Sequence, residues 1–386
     1  GGEIPVAVEQ ADGETRWRLA RNPGRITITY RVLGYDPFVS PEASFVEESR
    51  LVLIGYSLFL LPVRPGPWDP IDATIRLQAP AGWEIWGSWP QEGDAFRPAT
   101  LHDLWSGFAA AGDFKAARLG SGRVGVSVLT EGRASAGLAL SIANRLLPML
   151  RETAAVFGGP PRGERLDVLA LYRMAPPAGN RSIVSGTSQV GAFLCLATPD
   201  RFNDQDGLTA LAAHECFHFY IGGAVTAEAE PPFQNAPELI WLMEGVTEYM
   251  AFRLMERAGT LSPAGFETVV RRKEAECRAA EARESLTLAD AARAMSDMRV
   301  YPLVYSRGFL VALLLERRME EISGRGALDR VLRRLFEEHN RYAGGGEVTP
   351  AGAMAAFEAE SPGVRETIER YALGSAPLPG LACPAR

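Results

Sequence analysis

The stretch Leu208-Thr-Ala-Leu-Ala-Ala-His-Glu-Cys-Phe-His-Phe-Tyr220 holds two of the four histidines in this chain of 386 residues. Residues four apart share one face of an α-helix, so His214 and His218 can both reach a single metal ion. Glu215 lies about 100° further round the helix, where it can address a metal-bound water without binding the metal. His-Glu-x-x-His on a helix is the signature of zinc-dependent peptide hydrolysis, and the alternative is a metal-free pair of core histidines.

The flanking residues predict where this helix begins and ends. Asp204 and Asp206 precede it as candidate caps, and Gly222-Gly223 follows it as a stop. Cys216 lies about 200° from His214, so we expect it to face the core and not to bind the metal.

A second stretch, Trp241-Leu-Met-Glu-Gly-Val-Thr-Glu-Tyr249, offers the third ligand. A hydrolytic zinc needs three protein ligands and one open position. Glu244 stands in a mostly apolar helix, where burying a carboxylate is costly unless a metal or another cation meets it. Gly245 costs about 1 kcal/mol relative to alanine inside a helix, which predicts a close approach by a neighbouring helix. The sequence therefore predicts one Zn²⁺ per chain, bound by His214, His218 and Glu244.

Glu248 follows Glu244 by one helical turn on the same face. A metal-bound imidazole usually donates its other N–H to a carboxylate or a carbonyl. Glu248 is therefore a candidate partner of His214, and the alternative is an ordinary solvated helix carboxylate.

Composition restricts the class of partner. The net charge of −7 and the lack of a Lys/Arg-rich cluster argue against nucleic acid. The longest apolar run, Leu51 to Val63, is too short to span a bilayer, so we expect no membrane span. The four cysteines, Cys195, Cys216, Cys277 and Cys383, lack the spacing of a disulfide scaffold and are expected to be mainly free thiols.

The pattern along the chain predicts a mixed, multidomain fold. Residues 1–132 are expected to form a β-sandwich-like domain, because Arg25 to Leu33 alternates with period two and further strand candidates follow at Val46 to Val63, Asp72 to Leu77 and Arg123 to Leu129. Residues 133–262 combine helices with strands near 166–172 and 182–196, and residues 263–386 are helical almost throughout. Peptide would be the partner of the middle domain.

Three motifs in this order resemble the glycyl aminopeptidase family of gluzincin metallopeptidases. They are the His-Glu-x-x-His stretch, Trp241 to Tyr249, and Tyr305-Ser-Arg-Gly-Phe-Leu-Val-Ala-Leu-Leu-Leu-Glu316. The likeness extends to Ile54-Gly-Tyr-Ser-Leu-Phe-Leu60 and to Tyr371-Ala-Leu-Gly-Ser-Ala-Pro-Leu-Pro379, so it covers nearly the whole chain.

The resemblance implies a thermolysin-like catalytic domain for residues 133–262 and a role for Tyr305. In the family, the tyrosine that opens this third motif donates a hydrogen bond to the oxyanion of the tetrahedral intermediate. Tyr301 is the fallback for that role. The family also implies export to the periplasm or secretion, and this chain stops before the PDZ domain that many members carry.

One departure concerns the substrate strand. Family members usually carry Gly-Gly-x-Glu-His there, and its glutamate is thought to hold the substrate's amino terminus. Here the stretch is Ser185-Gly-Thr-Ser-Gln-Val-Gly-Ala-Phe193, with Ser185, Gly186 and Gln189 as the candidate peptide-binding residues. Glu228 or Glu230, in the loop after the zinc helix, could supply the missing charge.

These features predict zinc-dependent hydrolysis of peptide bonds. Glu215 is expected to be the general base, and Tyr305 the oxyanion donor. The enzyme is expected to be aminopeptidase-like with altered recognition of the amino terminus. Two alternatives stay open: an endopeptidase, and a degenerate metallopeptidase that holds zinc and peptide without cleaving.

Overall fold

The computed structural model describes residues 4–11, 14–20, 24, 26–32, 44–62, 66–131, 136–175, 184–227, 236–282 and 286–380. The chain divides into two compact units, Gly1–Leu33 and Gly34–Arg386. In the first unit, the antiparallel strands β1 (Val6–Ala11) and β2 (Glu14–Leu19) form a hairpin. The strand predicted at Arg25 to Leu33 is not found over residues 26–32, which are neither strand nor helix in the structure.

The second unit begins with a small antiparallel sheet in the strand order β3-β4-β8-β5. Its strands and the short elements between them are β3 (Phe45–Val46), β4 (Arg50–Ile54), α1 (Gly55–Leu58), β5 (Glu84–Gly87), β6 (Gln91–Glu92), β7 (Ala95–Phe96), α2 (Leu101–Ser106) and β8 (Phe108–Gly112). The predicted strand at 46–63 ends early, because α1 begins at Gly55. A Cβ on Gly55 would lie 2.1 Å from the Leu104 carbonyl oxygen, so this position requires glycine. The predicted strand at 72–77 is reduced to an isolated bridge at Ile75.

A five-stranded mixed sheet, in the order β12-β13-β11-β10-β9, forms the centre of this unit. Its strands are β9 (Lys115–Ser121), β10 (Val124–Thr130), β11 (Leu166–Met174), β12 (Val184–Gln189) and β13 (Ala192–Ala197). The β10–β11 and β11–β13 pairs are parallel, and the two edge strands run antiparallel to their neighbours. The parallel β10–β11 pair is joined through the crossover helix α3 (Ala136–Phe157).

Side chains of this sheet alternate between two cores. On one face, Leu129, Leu169, Leu171 and Leu194 pack with Phe45, Val52, Ile54, Trp86 and Phe108 of the small sheet. The opposite face, with Val126, Val128, Val168, Ala170 and Phe193, packs in the large core with the helices. The two sheets therefore pack against each other, and this core joins β strands on both sides of residue 132.

The rest of the described chain is helical. The elements are α4 (Gln205–Phe217), a π-helix (Trp241–Val246), α5 (Thr247–Arg257), α6 (Pro263–Glu281), α7 (Leu288–Arg293), a second π-helix (Leu303–Arg307), α8 (Gly308–Ser323), α9 (Ala327–His339), α10 (Pro350–Glu360), α11 (Arg365–Thr367) and a third π-helix (Ile368–Leu373). Short 3₁₀ turns lie at Arg201–Asn203, Pro237–Leu239, Met298–Val300 and Arg341–Ala343.

The fold thus mixes sheets with helices, as predicted. The predicted boundaries at 132 and 262 both lie inside the second compact unit and remain predictions. The helical run Met298–Ser323 is long and apolar enough to cross a membrane by composition, but 67% of its most apolar window is buried inside the protein. Cys195, Cys216 and Cys277 are free and buried, and Cys383 lies outside the described residues.

Candidate metal centre

Helix α4 carries His214 in its last turn, and His218 is the residue that caps its C-terminal end. Asp204 caps the helix by accepting a hydrogen bond from the Gly207 N–H at 2.9 Å, as predicted, whereas Asp206 pairs with Arg145. The helix ends at Phe217, earlier than the predicted stop. The following turn brings Gly222 so close to His218 that a Cβ there would lie 3.1 Å from Nδ1. A bare backbone at Gly222 therefore leaves room for the His218 ring.

The ligand atoms of His214, His218 and Glu244 meet at one point. The two Nε2 atoms lie 3.0 Å apart, and Glu244 Oε2 lies 3.2 Å from His214 Nε2 and 3.6 Å from His218 Nε2. Tetrahedral zinc with bonds of roughly 2.0–2.1 Å needs ligand atoms about 3.3 Å apart. These separations lie close to that value, so the three groups have the spacing of a zinc site.

The hydrogen bonds of the imidazoles fix which ring nitrogens are free to bind a metal. His218 Nδ1 lies 2.9 Å from the Ile221 carbonyl oxygen, which can only accept, so Nδ1 carries the proton. His214 Nδ1 lies 2.9 Å from Glu248 Oε2, which is likewise an acceptor. When both rings are neutral, each keeps an Nε2 lone pair beside the Glu244 carboxylate. Three acceptors at this distance repel one another unless a cation, a proton or a metal ion, lies between them, and zinc fits this donor set.

Electrostatics at the site also favour positive charge. Burial lowers the pKa of His214, but Glu244 and Glu248 raise it well above the ordinary histidine value. Burial raises the pKa of Glu244, but His218 and His214 lower it well below the ordinary glutamate value. Glu244 is therefore a carboxylate near neutral pH, ready to serve as a metal ligand.

Glu248 begins a chain of polar contacts that extends away from the site through buried Lys273 to half-buried Glu276. Glu248 Oε2 lies 2.9 Å from His214 Nδ1, and its Oε1 lies 2.8 Å from Lys273 Nζ. Lys273 Nζ also lies 3.9 Å from Glu276 Oε2, which accepts a hydrogen bond from the Ser306 hydroxyl at 2.6 Å. Sequence reasoning missed Lys273, although lysine occurs elsewhere only at position 115.

Glu215 lies beside the metal ligands and under the edge strand β12. Only 7% of Glu215 is exposed. A Cβ on Gly186 would lie 3.0 Å from Glu215 Oε1 and 3.0 Å from Leu211 Cδ1, so the strand backbone confines the carboxylate. Cys216 is fully buried in the core, as predicted for a residue that is not a ligand.

Tyr305 lies in the second π-helix and faces the same site. Its ring centroid is 5.9 Å from that of His214 and 5.6 Å from that of Tyr301, the predicted fallback. Burial raises the pKa of Tyr305, and the neighbouring Glu244 raises it further. The phenol therefore keeps its proton near neutral pH and can act as a hydrogen-bond donor.

The predicted close approach at Gly245 is confirmed. A Cβ on Gly245 would lie 2.8 Å from Gly308 Cα, and a Cβ on Gly308 would lie 2.7 Å from Gly245 Cα. Two glycines therefore let the helix of Glu244 touch the helix that begins after Tyr305.

The predicted peptide-binding residues lie on β12, which is the edge strand next to α4. Ser185 and Gly186 are half-buried, and Gln189 is buried. Gln189, Ser188, His218 and Glu244 line one cleft of about 1240 Å³. The described part of this strand contains no acidic residue, and Glu228 and Glu230 lie outside the described residues.

Comparison with known proteins confirms the family resemblance. The M61 glycyl aminopeptidase family model matches residues 207–308, which include the three proposed ligands and Tyr305. No curated protein matches the chain.

Solved structures show the same fold at low sequence identity. An aminopeptidase N family protein from Idiomarina loihiensis superposes with a TM-score of 0.80 at 18% identity, over 97% of this chain and 66% of that one. The chain thus spans just under two thirds of that protein's length. An M1 zinc metallopeptidase from Deinococcus radiodurans gives a TM-score of 0.62 at 16% identity, over 98% and 84% of the two chains.

Proposed function

We propose that this protein hydrolyses peptide bonds with one zinc ion held by His214, His218 and Glu244. The observation that carries the proposal is the convergence of two imidazole lone pairs and one carboxylate within 3.6 Å of one another. The match to the glycyl aminopeptidase family over residues 207–308 and the shared fold with a zinc metallopeptidase support it.

The residues around the ligands have the chemistry that hydrolysis needs. A zinc ion bound there would polarise the scissile carbonyl and lower the pKa of a water molecule. Glu215 accepts a proton from the attacking water and delivers it to the leaving amine. The Tyr305 hydroxyl donates a hydrogen bond to the oxyanion that develops on the carbonyl oxygen.

Strand β12 orients the substrate in this proposal. It lies at the edge of the five-stranded sheet, so its outer backbone groups can pair with an extended peptide. Gln189 lines the cleft beside His218 and offers a side-chain amide to the peptide. Glu215 packs against the same strand at Gly186, which places the general base next to the bound backbone.

The proposal is tested by the variant Glu215→Gln. We expect it to keep stoichiometric zinc and to lose peptide cleavage by roughly two to four orders of magnitude, because only the general base is removed. Asp206→Asn is the matched control, since Asp206 lies on the same helix but is exposed. Unchanged turnover in Glu215→Gln would falsify the assignment of the base.

The lack of an acid on the described part of β12 motivates an altered recognition of the amino terminus. A free α-amine has no carboxylate partner there, so we expect peptides with acetylated and free amino termini to be cleaved at rates within about tenfold of each other. Mass-spectrometric mapping of both products separates removal of single residues from internal cleavage. Zinc binding and peptide affinity without any cleavage would instead indicate a peptide-binding protein.

A further inference from the structure

The cleft that contains His218 and Glu244 continues to a second group of polar side chains. This arginine cluster consists of Arg162, Arg341, His102 and Asp103, and Trp68 contacts two of its members, His102 and Arg341. The backbone N–H of Arg341 donates to the Ala224 carbonyl at 2.8 Å. Ala224 follows the ligand His218 by six residues, so Arg341 is tied to the loop that leaves the metal site.

Within the arginine cluster, Arg162 already has a carboxylate partner. Asp103 is fully buried, and its Oδ1 lies 2.9 Å from Arg162 Nη1 and accepts a hydrogen bond from the Tyr342 hydroxyl at 3.2 Å. Its other oxygen accepts the Ala99 N–H at 3.1 Å. These contacts leave Asp103 little capacity for a second guanidinium.

Arg341 has no such partner in the part of the chain that the structure describes. Its Nε is buried without a hydrogen bond, and its Nη1 donates to the Gly345 carbonyl at 3.3 Å. Two further arginines of the cleft, Arg118 and Arg165, pair with Glu84 at 3.1 Å and Asp167 at 2.7 Å. Arg341 therefore differs from the other cleft arginines in keeping its charge available.

Trp68 fixes the shape of the arginine cluster. It stacks on His102 with centroids 4.1 Å apart, and the Arg341 guanidinium carbon lies 5.3 Å from the Trp68 ring centroid. Burial lowers the pKa of His102 to about 4, so that ring is neutral near pH 7. Two guanidinium groups and one carboxylate then leave the cluster with one net positive charge.

We propose that Arg341 binds a carboxylate of the peptide whose cleavage is proposed above, an inference that rests on that proposed function. The carboxylate is either the carboxyl terminus of a short peptide or an acidic side chain on the same side of the scissile bond. A planar guanidinium held against an aromatic ring is suited to a carboxylate, which it can bind through two parallel hydrogen bonds.

The test compares three peptides. The first has a free carboxyl terminus, the second has the same sequence with an amidated terminus, and the third is the amidated peptide with one glutamate added. Their Kd values are measured on zinc-loaded Glu215→Gln protein, so that binding is seen whether or not the wild type cleaves. We expect amidation to weaken binding by about tenfold to a hundredfold, and the added glutamate to restore binding if the subsite takes side chains.

The variant Arg341→Gln, combined with Glu215→Gln, is expected to bind all three peptides within about threefold of one another. Arg341→Lys should keep part of the preference, because it keeps the charge but not the paired geometry. Arg118→Gln is the control, since that arginine lines the same cleft but already pairs with Glu84. Melting temperatures establish that each variant is folded.

The outcomes separate this inference from the proposed function. A carboxylate preference that survives in Arg341→Gln, or no preference in the parent, overturns the role of Arg341. Lack of cleavage by the wild type overturns the proposed function, while the binding comparison still decides whether Arg341 recognises a carboxylate.

Discussion

The Glu215 carboxylate is held between its own helix and the backbone of β12 at Gly186. This arrangement predicts the effect of adding one methyl group. In Gly186→Ala the new Cβ would lie 3.0 Å from Glu215 Oε1, so the carboxylate has to move. We expect kcat for peptide cleavage to fall by roughly tenfold to a hundredfold with zinc content unchanged, because a small misplacement of a catalytic group is costly.

Steady-state kinetics and metal analysis check this prediction. Gly346→Ala is the matched control, because a Cβ at that glycine meets no atom within 4 Å. A normal kcat in Gly186→Ala would mean that the position of Glu215 does not depend on this strand.

Lys273 stabilises the charged form of Glu248, the carboxylate that accepts a hydrogen bond from His214. Burial raises the pKa of Glu248, but Lys273 and His214 lower it to about 2. In Lys273→Met the Glu248 carboxylate loses its cation, and we expect zinc affinity to weaken by about tenfold to a hundredfold.

Competition with a chelating indicator measures this affinity. Lys115→Met, which removes the exposed lysine paired with Asp113, should bind zinc as the wild type does. Equal zinc affinity in Lys273→Met and Lys115→Met would show that the contact between Lys273 and Glu248 does not affect metal binding by His214.

His102 makes stability depend on pH. Burial lowers its pKa from 6.5 to about 4 in the folded protein. The folded state therefore binds this proton less readily than the unfolded state, and the stability present above pH 6.5 is lost as the pH falls towards 4. The expected loss from this group is about 2 kcal/mol at pH 5.

Urea unfolding at pH 7.5 and pH 5, in the presence of a chelator, measures this loss in the wild type and in His102→Gln. The variant should lose about 2 kcal/mol less between the two pH values. His339→Gln, at the end of α9, is the control. An identical pH dependence in wild type and His102→Gln would rule out this contribution.

Residue types and spacing were sufficient to predict which side chains converge at the candidate metal centre, because residues four apart share one face of a helix in any tertiary fold. Lys273 and Arg341 were missed for a physical reason. Their partners lie far away in sequence, so only the packing of helices and loops brings them to the site.

At the scale of elements, the contact between Gly245 and Gly308 positions Glu244. Adding a methyl group in Gly308→Ala brings Cβ to 2.7 Å from Gly245 Cα, so the two helices have to separate. We expect a loss of about 1–3 kcal/mol in unfolding free energy, with weaker zinc binding because Gly245 adjoins the ligand.

Urea unfolding and zinc titration check this prediction, with Gly380→Ala as a control at a glycine whose Cβ would meet no atom. Stability and affinity equal to the wild type would show that the helices can tolerate a wider spacing.

The π-helices themselves could not be predicted from the sequence. Trp241–Val246 and Leu303–Arg307 have apolar residues at ordinary helical spacing, so the pattern predicts continuous α-helices. Local widening of a helix depends on tertiary packing, and it occurs often at functional sites. Here it occurs at the segments that carry Glu244 and Tyr305.

For the whole molecule, the sequence predicted the order of β-rich and helical regions. It did not predict which strands share a sheet. The alternating pattern of Val124–Thr130 identifies a strand, but the choice between pairing with β8 or with β11 depends on the crossover through α3. Long-range pairing of this kind is not encoded in local periodicity.

The parallel pairing of β10 with β11 limits where this protein can be divided. A fragment that starts at residue 133 would lack β9 and β10 and would expose the full hydrogen-bonding edge of β11, a strand buried along almost its whole length. Such an edge recruits other chains and favours aggregation. A soluble catalytic fragment therefore has to retain the hairpin Lys115 to Thr130, whatever else is removed before it.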